Sequence, residues 1–257
     1  MKIGIILTTF LRDELLYKSV QSIKENWQDN FELIIVDQGE MNTDKHKWLL
    51  DENLSSCYYS VSFDCGLSYA RNYGVQKAKE LCCDYCVISA DSIIFDNTIK
   101  KVNKLLYLFK GSYKLGKIGF KLNNRIGWEG WLSIIPNESF KLKFINKNIF
   151  ILDKKIHAKL IPCNICKNFY IALTESLLKI PYDNTLKLLE HEDHSIQYAK
   201  YYNTLWTDLI TGTYKDYKPE QYKKYRRRMY REFMQILLKK YNLKKWIVYE
   251  NLQYSKT

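Results

Sequence analysis

Apolar and polar positions along the first part of the chain come in blocks. KIGIILTTF, from Lys2 to Phe10, is a continuous apolar run that turns polar at Thr8, the pattern of a strand buried on both faces. RDELLYKSVQSIKEN follows with Leu15, Leu16, Ser19, Val20 and Ile23 at helical spacing. FELIIVDQG is a second buried strand, ending at an acid and a glycine. The blocks then repeat: KHKWLLDENL predicts a helix, CYYSVSF a short strand, LSYARNYGVQKAKELC a helix, and DYCVISADSIIF one strand with an acid near its end. Strands alternating with helices imply right-handed crossovers and predict an α/β fold with a mainly parallel, doubly wound sheet flanked by helices.

From about residue 111 the pattern changes to shorter strands and turn signals at Asn123-Asn124, Gly127 and Pro136, which predict hairpins that continue or cover the sheet. NFYIALTESLLKI predicts a strand running into a helix capped by Thr174. A helix starting near Glu190 would set Glu190, Asp193, His194 and Gln197 on one face and Tyr198, Tyr201, Tyr202 and Leu205 on an apolar stripe. After Pro219 a basic, tyrosine-rich helix carries Met229, Phe233, Ile236 and Leu237 at spacings of three and four. The expected organisation is a domain over 1–210, with halves at 1–110 and 111–210, and a basic helical extension over 211–257.

Composition narrows the class. A formal charge of +12 predicts attraction to polyanions, whether nucleic acid, an anionic membrane face or a phosphorylated small molecule. No apolar run approaches the roughly 18 residues of a spanning helix. The first run breaks at Thr8 and is charged by Arg12, unlike a secretory signal, so the chain is expected to be cytoplasmic. Seven cysteines make a disulfide framework improbable. Cys83 with Cys86 and Cys163 with Cys166 have spacing that could close a zinc site, although a free cysteine is commonly a small buried hydrophobe.

In doubly wound sheets ligands sit beyond the carboxyl ends of the strands, which directs attention to Thr8–Arg12, Asp37–Gly39, Asp64–Gly66 and Ser89–Ser92. The segments ILTTFLR, IIVDQG, DCGLSYARNYGVQKA, VISADSIIF and LLEHEDHSI occur in the order and at roughly the spacing of family-2-type glycosyltransferases with the GT-A fold. Over about residues 3–200 the chain resembles that family, and NFYIALTESLLKIPYDNTLKLLEHED is similar to its β-1,4-N-acetylgalactosaminyltransferase-like branch. The resemblance implies an inverting transfer from a nucleotide-diphosphate sugar, with UDP as the expected nucleotide, to a hydroxyl of a glycan or lipid-linked acceptor. It implies donor contacts from Thr8, Thr9, Phe10, Arg12, Asp37, Asp64, Gly66, Arg71, Asn72, Ala90 and Asp91. It also implies a DxD-type metal station for Mn²⁺ or Mg²⁺. Here the sequence departs from the family, because Asp91 is the single acid and Ser89 or Ser92 replaces the other. One carboxylate with the donor phosphates can hold such an ion. Neutralisation by Arg and Lys without metal is equally open.

An attacking hydroxyl has to lose a proton, and a carboxylate is the simplest general base. The family's acidic pair gives that role to Asp193, with Glu192 binding an acceptor hydroxyl or fixing a loop. Trp128 and Trp131, on either side of Glu129, suit stacking on a sugar ring, although Trp in a hairpin is more often core; with Glu129 and Glu190 they form the expected acceptor side. Carboxylates at a helix start are also stabilised by the helix dipole with no further role. His191 and His194 do not make the HExxH zinc pattern. A nucleotidyltransferase would need a Gly-rich phosphate loop, and TTFLRDE has no glycine. A degenerate GT-A protein, or a basic nucleic-acid adaptor, is the non-enzymatic alternative; no nucleic-acid module is recognisable, and the basic C-terminus suits an anionic membrane surface better.

Overall fold

The computed structural model describes residues 1–111, 114–124 and 129–250, without the side chains of 226–229, 248 and 250. In chain order its elements are β1 (Ile3–Thr9), α1 (Asp13–Lys24), β2 (Phe31–Asp37), α2 (Thr43–Asp51), β3 (Tyr58–Ser60), α3 (Leu67–Glu80), β4 (Tyr85–Ala90) and β5 (Ile93–Phe95). Then come α4 (Leu106–Gly111), β6 (Leu115–Asn123), β7 (Gly130–Ile135), β8 (Ser139–Phe144), β9 (Ile151–Asp153), β10 (Ala158–Cys163), β11 (Tyr170–Leu173) and α5 (Thr174–Lys179). The last are α6 (Glu190–Tyr198), β12 (Asn203–Tyr214), α7 (Glu220–Lys240) and β13 (Lys245–Glu250).

The main sheet runs β3-β2-β1-β4-β11-β6-β12-β10-β9, and β5 adds to β12. Strands β3, β2, β1 and β4 are parallel, as are β6 and β12, so the central sheet is mainly parallel and flanked by helices, the predicted class. Strand β1 is buried throughout because both of its faces are covered. Ile3, Ile5 and Leu7 pack with Leu16, Val20 and Ile23 of α1, and Ile6 packs with Ala70, Val75 and Ala78 of α3 on the opposite face. Each such aliphatic side chain contributes about 1.5–3 kcal/mol on burial. Gly74 permits the close approach of α3, since a Cβ there would lie 2.5 Å from Ile6 Cγ2.

Four differences from the sequence expectations matter for the site. The run DYCVISADSIIF is two strands: the chain turns at Asp91-Ser92, and β5 leaves β4 to pair with β12. Strand β11 inserts antiparallel between β4 and β6, which carries its preceding residues Lys167 and Asn168 to the carboxyl end of β4. Thr174 is the first residue of α5 and not its cap; its hydroxyl lies 3.3 Å from Cys86 Sγ. Helix α6 stops at Tyr198, so only part of the predicted tyrosine stripe forms: Tyr198 is buried, Tyr201 is exposed, and Leu205 belongs to β12.

The segment expected as a helical extension holds a strand as well. β13 pairs parallel with β8 in a second sheet, β13-β8-β7, and β12 runs through residue 210. Phe233, Leu237 and Leu238 of α7 are buried against Leu132, Phe140, Leu142 and the loop residues Leu186 and Leu189. The apolar stripe of α7 therefore faces the domain; Met229's side chain lies outside the described residues.

Candidate active site

At the carboxyl end of β1 the chain turns through Phe10 and Leu11 into α1, delivering Arg12 beneath the turn after β4. Arg12 Nε donates to Asp91 Oδ2 at 3.1 Å, its Nη2 engages Asp91 Oδ1, and Thr9 Oγ1 donates to Asp91 Oδ2 at 2.8 Å. Asp91 is fully buried. Burial pushes its carboxyl up from the ordinary range, and the Arg12 guanidinium followed by the Thr9 hydroxyl offsets part of that. The other face of Arg12 lies 4.5 Å from the ring centre of Tyr222, near the start of α7. Tyr222 and Tyr225 also cover Phe10, at centroid distances of 6.4 and 5.7 Å, with Phe63 completing the aromatic group.

Beside this corner is a cavity of about 250 Å³. Thr8, Thr9, Phe10, Arg12, Ala90 and Ser92 line it from the sheet, Leu67 and Arg71 from α3, and Leu188 to His191 from the start of α6. Lys167, Asn168, Tyr214, Tyr222 and Tyr230 complete the wall. Three cations face it, each paired with an acid: Arg12 with Asp91, Arg71 with Glu190, and Lys167 with Glu129 at 2.6 Å. Asp91 and Glu129 contribute no surface to the cavity, whereas their cations do. A wall of this kind favours a polyanion with several oxygens.

Leu189, at φ +62°, turns the chain sharply into α6. That turn fans the acidic cluster in different directions. Glu190 reaches the cavity, where it accepts from Arg71 and, at 3.3 Å, from Asn168 Nδ2. Burial alone would raise its pKa; the Arg71 guanidinium, together with His191, more than offsets this and holds Glu190 below the usual carboxylate range. His191 lines the cavity, with Nδ1 2.8 Å from the buried Glu192 Oε2. Asp193 does not line it: Oδ1 accepts from Tyr241 Oη at 2.7 Å and lies 2.8 Å from Lys240 Nζ. His194 stacks on Tyr182 with ring centres 4.0 Å apart. The shared face expected for Glu190, Asp193, His194 and Gln197 thus divides, with Asp193 and Gln197 both bonded to Tyr241.

Other positions expected to touch the donor have partners within the protein. The Asp37 carboxylate is taken up by Gly39 N–H at 2.7 Å, Lys45 Nζ at 2.7 Å and Tyr58 Oη at 2.6 Å, and is fully buried. Asp64 faces Lys187 at 3.3 Å. Gly66, at φ +97°, donates its N–H to Gln38 Oε1 at 2.8 Å, and a Cβ there would lie 2.6–2.9 Å from Lys187. Asn72 donates to the Tyr182 carbonyl and to Asn184 Oδ1, both at 2.8 Å, and fastens the loop before α6. Trp131 is 48% exposed and off the cavity; Trp128 lies outside the described residues. Lys167, Asn168, Tyr214, Tyr222 and Tyr230 are polar lining residues the sequence did not single out, and His191 was weighed only as a zinc ligand. CKNFY, a polar pair at the head of a buried strand, was the available signal for two of them.

The donor set at the expected metal station is one carboxylate whose two oxygens are already held by Arg12 and Thr9. The described residues contain no group of three or more His, Cys, Asp or Glu that could hold a metal ion, at this station or at the cysteine pairs. A divalent ion at Asp91 would have to displace a guanidinium bound in two places. Without an ion Arg12 supplies the positive charge there; an ion at this station would rest on Asp91 and the donor phosphates.

The comparisons agree with this architecture. No curated protein matches the sequence. Among solved structures, GalNAc-T7 with UDP, GalNAc and Mn²⁺ superposes with a TM-score of 0.63 at 12% identity, covering 83% of this chain and 44% of that one. The mannosyltransferase PcManGT from Pyrobaculum calidifontis, in complex with GDP-Man and Mn²⁺, gives 0.59 at 12% identity over 95% of this chain and 65% of that one. S. aureus TarS 1–349 in complex with UDP gives 0.54 at 13% identity over 87% and 63%. The chain spans less than two thirds of the length of each, and at such identities the likeness establishes the GT-A fold alone. The family model of Glycosyl transferase family 2 matches residues 4–152, more than half of the chain, and with the sheet, the strand-end stations and the cation-lined cavity it places this protein in glycosyl transferase family 2.

Proposed function

We propose that the protein transfers a sugar from a nucleotide-diphosphate donor, a UDP-sugar in the first instance, to a hydroxyl of a glycan or lipid-linked acceptor, with inversion at the transferred carbon. The observation that carries this reading is the cavity wall, where Arg12, Arg71 and Lys167 converge at the carboxyl ends of β1 and β4. As the bond to the sugar breaks, negative charge grows on the departing diphosphate, and preplaced guanidinium and ammonium groups stabilise it without reorganisation. TarS complexes with UDP and with UDP-GlcNAc, on a similar fold, support the choice of nucleotide. The resemblance of residues 168–193 to the N-acetylgalactosaminyltransferase-like branch makes an N-acetylhexosamine the first sugar to test.

The proton of the attacking hydroxyl passes to the start of α6. Family resemblance gives that role to Asp193, which must first part from Lys240 and Tyr241. A second reading is favoured by the place of His191 on the cavity wall, where the Glu192 carboxylate 2.8 Å from Nδ1 would stabilise the ring as it takes up the proton. Thermal shift with a panel of nucleotide sugars tests the donor, because a bound donor raises Tm by mass action. UDP-sugars should shift Tm, and a shift by an oligonucleotide instead would give the chain to the adaptor alternative. With a donor in hand, Asp193→Asn and His191→Gln divide the base assignments. The true base loses turnover by about 10²–10⁴-fold while donor binding persists; full activity in a variant removes that residue from the role.

A further inference from the structure

The edge of the main sheet carries a feature that lies off the cavity. Ile149, Phe150, Ile151 and Leu152 are exposed in succession, at 69%, 38%, 60% and 55%. Neighbouring residues of a strand point to opposite faces, so an edge strand on a covered sheet normally buries every second side chain. β10 obeys this, with Ala158 and Leu160 buried and Lys159 exposed. β9 does not: Ile151 pairs with Leu160 and Leu152 with Lys159, yet both apolar side chains stand in water. The strand overhangs the core, and much of its apolar surface is left uncovered by folding. Exposed lysines surround it. Lys159 lies 4.5 Å from the Phe150 ring centre, Lys147 5.1 Å from that of Trp206, and Lys154 and Lys155 occupy the turn beyond Asp153.

We infer that this apolar tip with its lysine collar is a docking surface for an anionic lipid bilayer: the side chains of 149–152 enter the headgroup boundary while the lysines pair with lipid phosphates. Charge argues for this occupant over a second copy of the chain. Antiparallel pairing of two such edges centred on Ile151 would set Lys147 against Lys155 of the second copy, a like-charge juxtaposition that disfavours it. An anionic surface attracts every lysine of the collar, and the chain's net charge of +12 acts in the same direction. The apolar residues supply what charge alone does not, insertion.

The test is flotation of the full chain with vesicles of phosphatidylcholine alone and of phosphatidylcholine mixed equally with phosphatidylglycerol, for the wild type and for Ile149→Ser/Ile151→Ser/Leu152→Ser. The substituted side chains are exposed, so Tm should be retained. The wild type should float with the anionic vesicles only, and the triple variant should bind about tenfold or more weakly. Failure of the wild type to float, or equal flotation of the variant, overturns the inference and moves any lipid contact elsewhere, for instance to α7. A wild-type dimer that the variant converts to monomer assigns the face to a second copy and overturns it as well.

Discussion

At the scale of single residues, the site depends on paired charges taken out of water. Arg71 and Glu190 are both buried, so removing one partner strands the other. Arg71→Ala should lower stability by about 3–5 kcal/mol, measurable by denaturant unfolding. Because the folded pKa of Glu190 is depressed, its share of stability is present above the unfolded carboxylate range and is lost as pH falls through the folded value. His194 works at a higher pH. It is buried, with Nε2 3.0 Å from the Ile180 carbonyl oxygen, and burial holds its pKa well below 6.5. The unfolded chain then binds a proton that the folded chain refuses. Stability is full above about pH 6.5 and falls below it at up to ~1.4 kcal/mol per unit. Tm recorded from pH 7 to pH 5 should decline in the wild type and decline less in His194→Phe; parallel curves would show that another group titrates. The sequence identified Arg12, Asp91, Arg71 and Glu190 individually. It did not give their pairing, because two residues about eighty or a hundred and twenty positions apart meet only through strand order.

At the scale of elements, the start of α6 and the N-terminus of α3 are clamped face to face. Leu67 N–H donates to the Lys187 carbonyl at 3.3 Å, and Asn72 holds Tyr182 and Asn184. Gly66 makes this approach possible. Gly66→Ala meets both a disfavoured φ and Lys187 atoms inside 3 Å, and should cost about 1–3 kcal/mol. Unfolding measurements check the cost, and a donor titration should show weaker binding, since the cavity wall at Leu188–His191 shifts with the clamp. Periodicity made β1, β2, α1 and α3 legible, because a strand covered on both faces reads as an apolar run. Strand β11 was legible as a strand but not as an antiparallel one, so Lys167 and Asn168 went unplaced. The break at Asp91 was hidden for a similar reason: Ile93-Ile94-Phe95 continues the apolar run of β4 while belonging to another pairing.

At the scale of the whole molecule, the basic C-terminal segment turns one apolar face to the domain and puts aromatic side chains over the site. Leu237 is fully buried in that packing, and Leu237→Ala should lower Tm with a loss of about 2–5 kcal/mol. Tyr222, placed by the same helix, lies against Arg12, which lies against Asp91, so the corner at the expected metal station is built from three distant parts of the chain. No helix among the described residues is long and apolar enough to cross a membrane. The central claim we propose is that the protein's cations are enough to receive the diphosphate without a bound ion. Calorimetric titration of UDP in the presence of a chelator, repeated with excess Mn²⁺, tests it directly. Equal affinity under both conditions is the predicted result; binding that appears only with Mn²⁺ would contradict it.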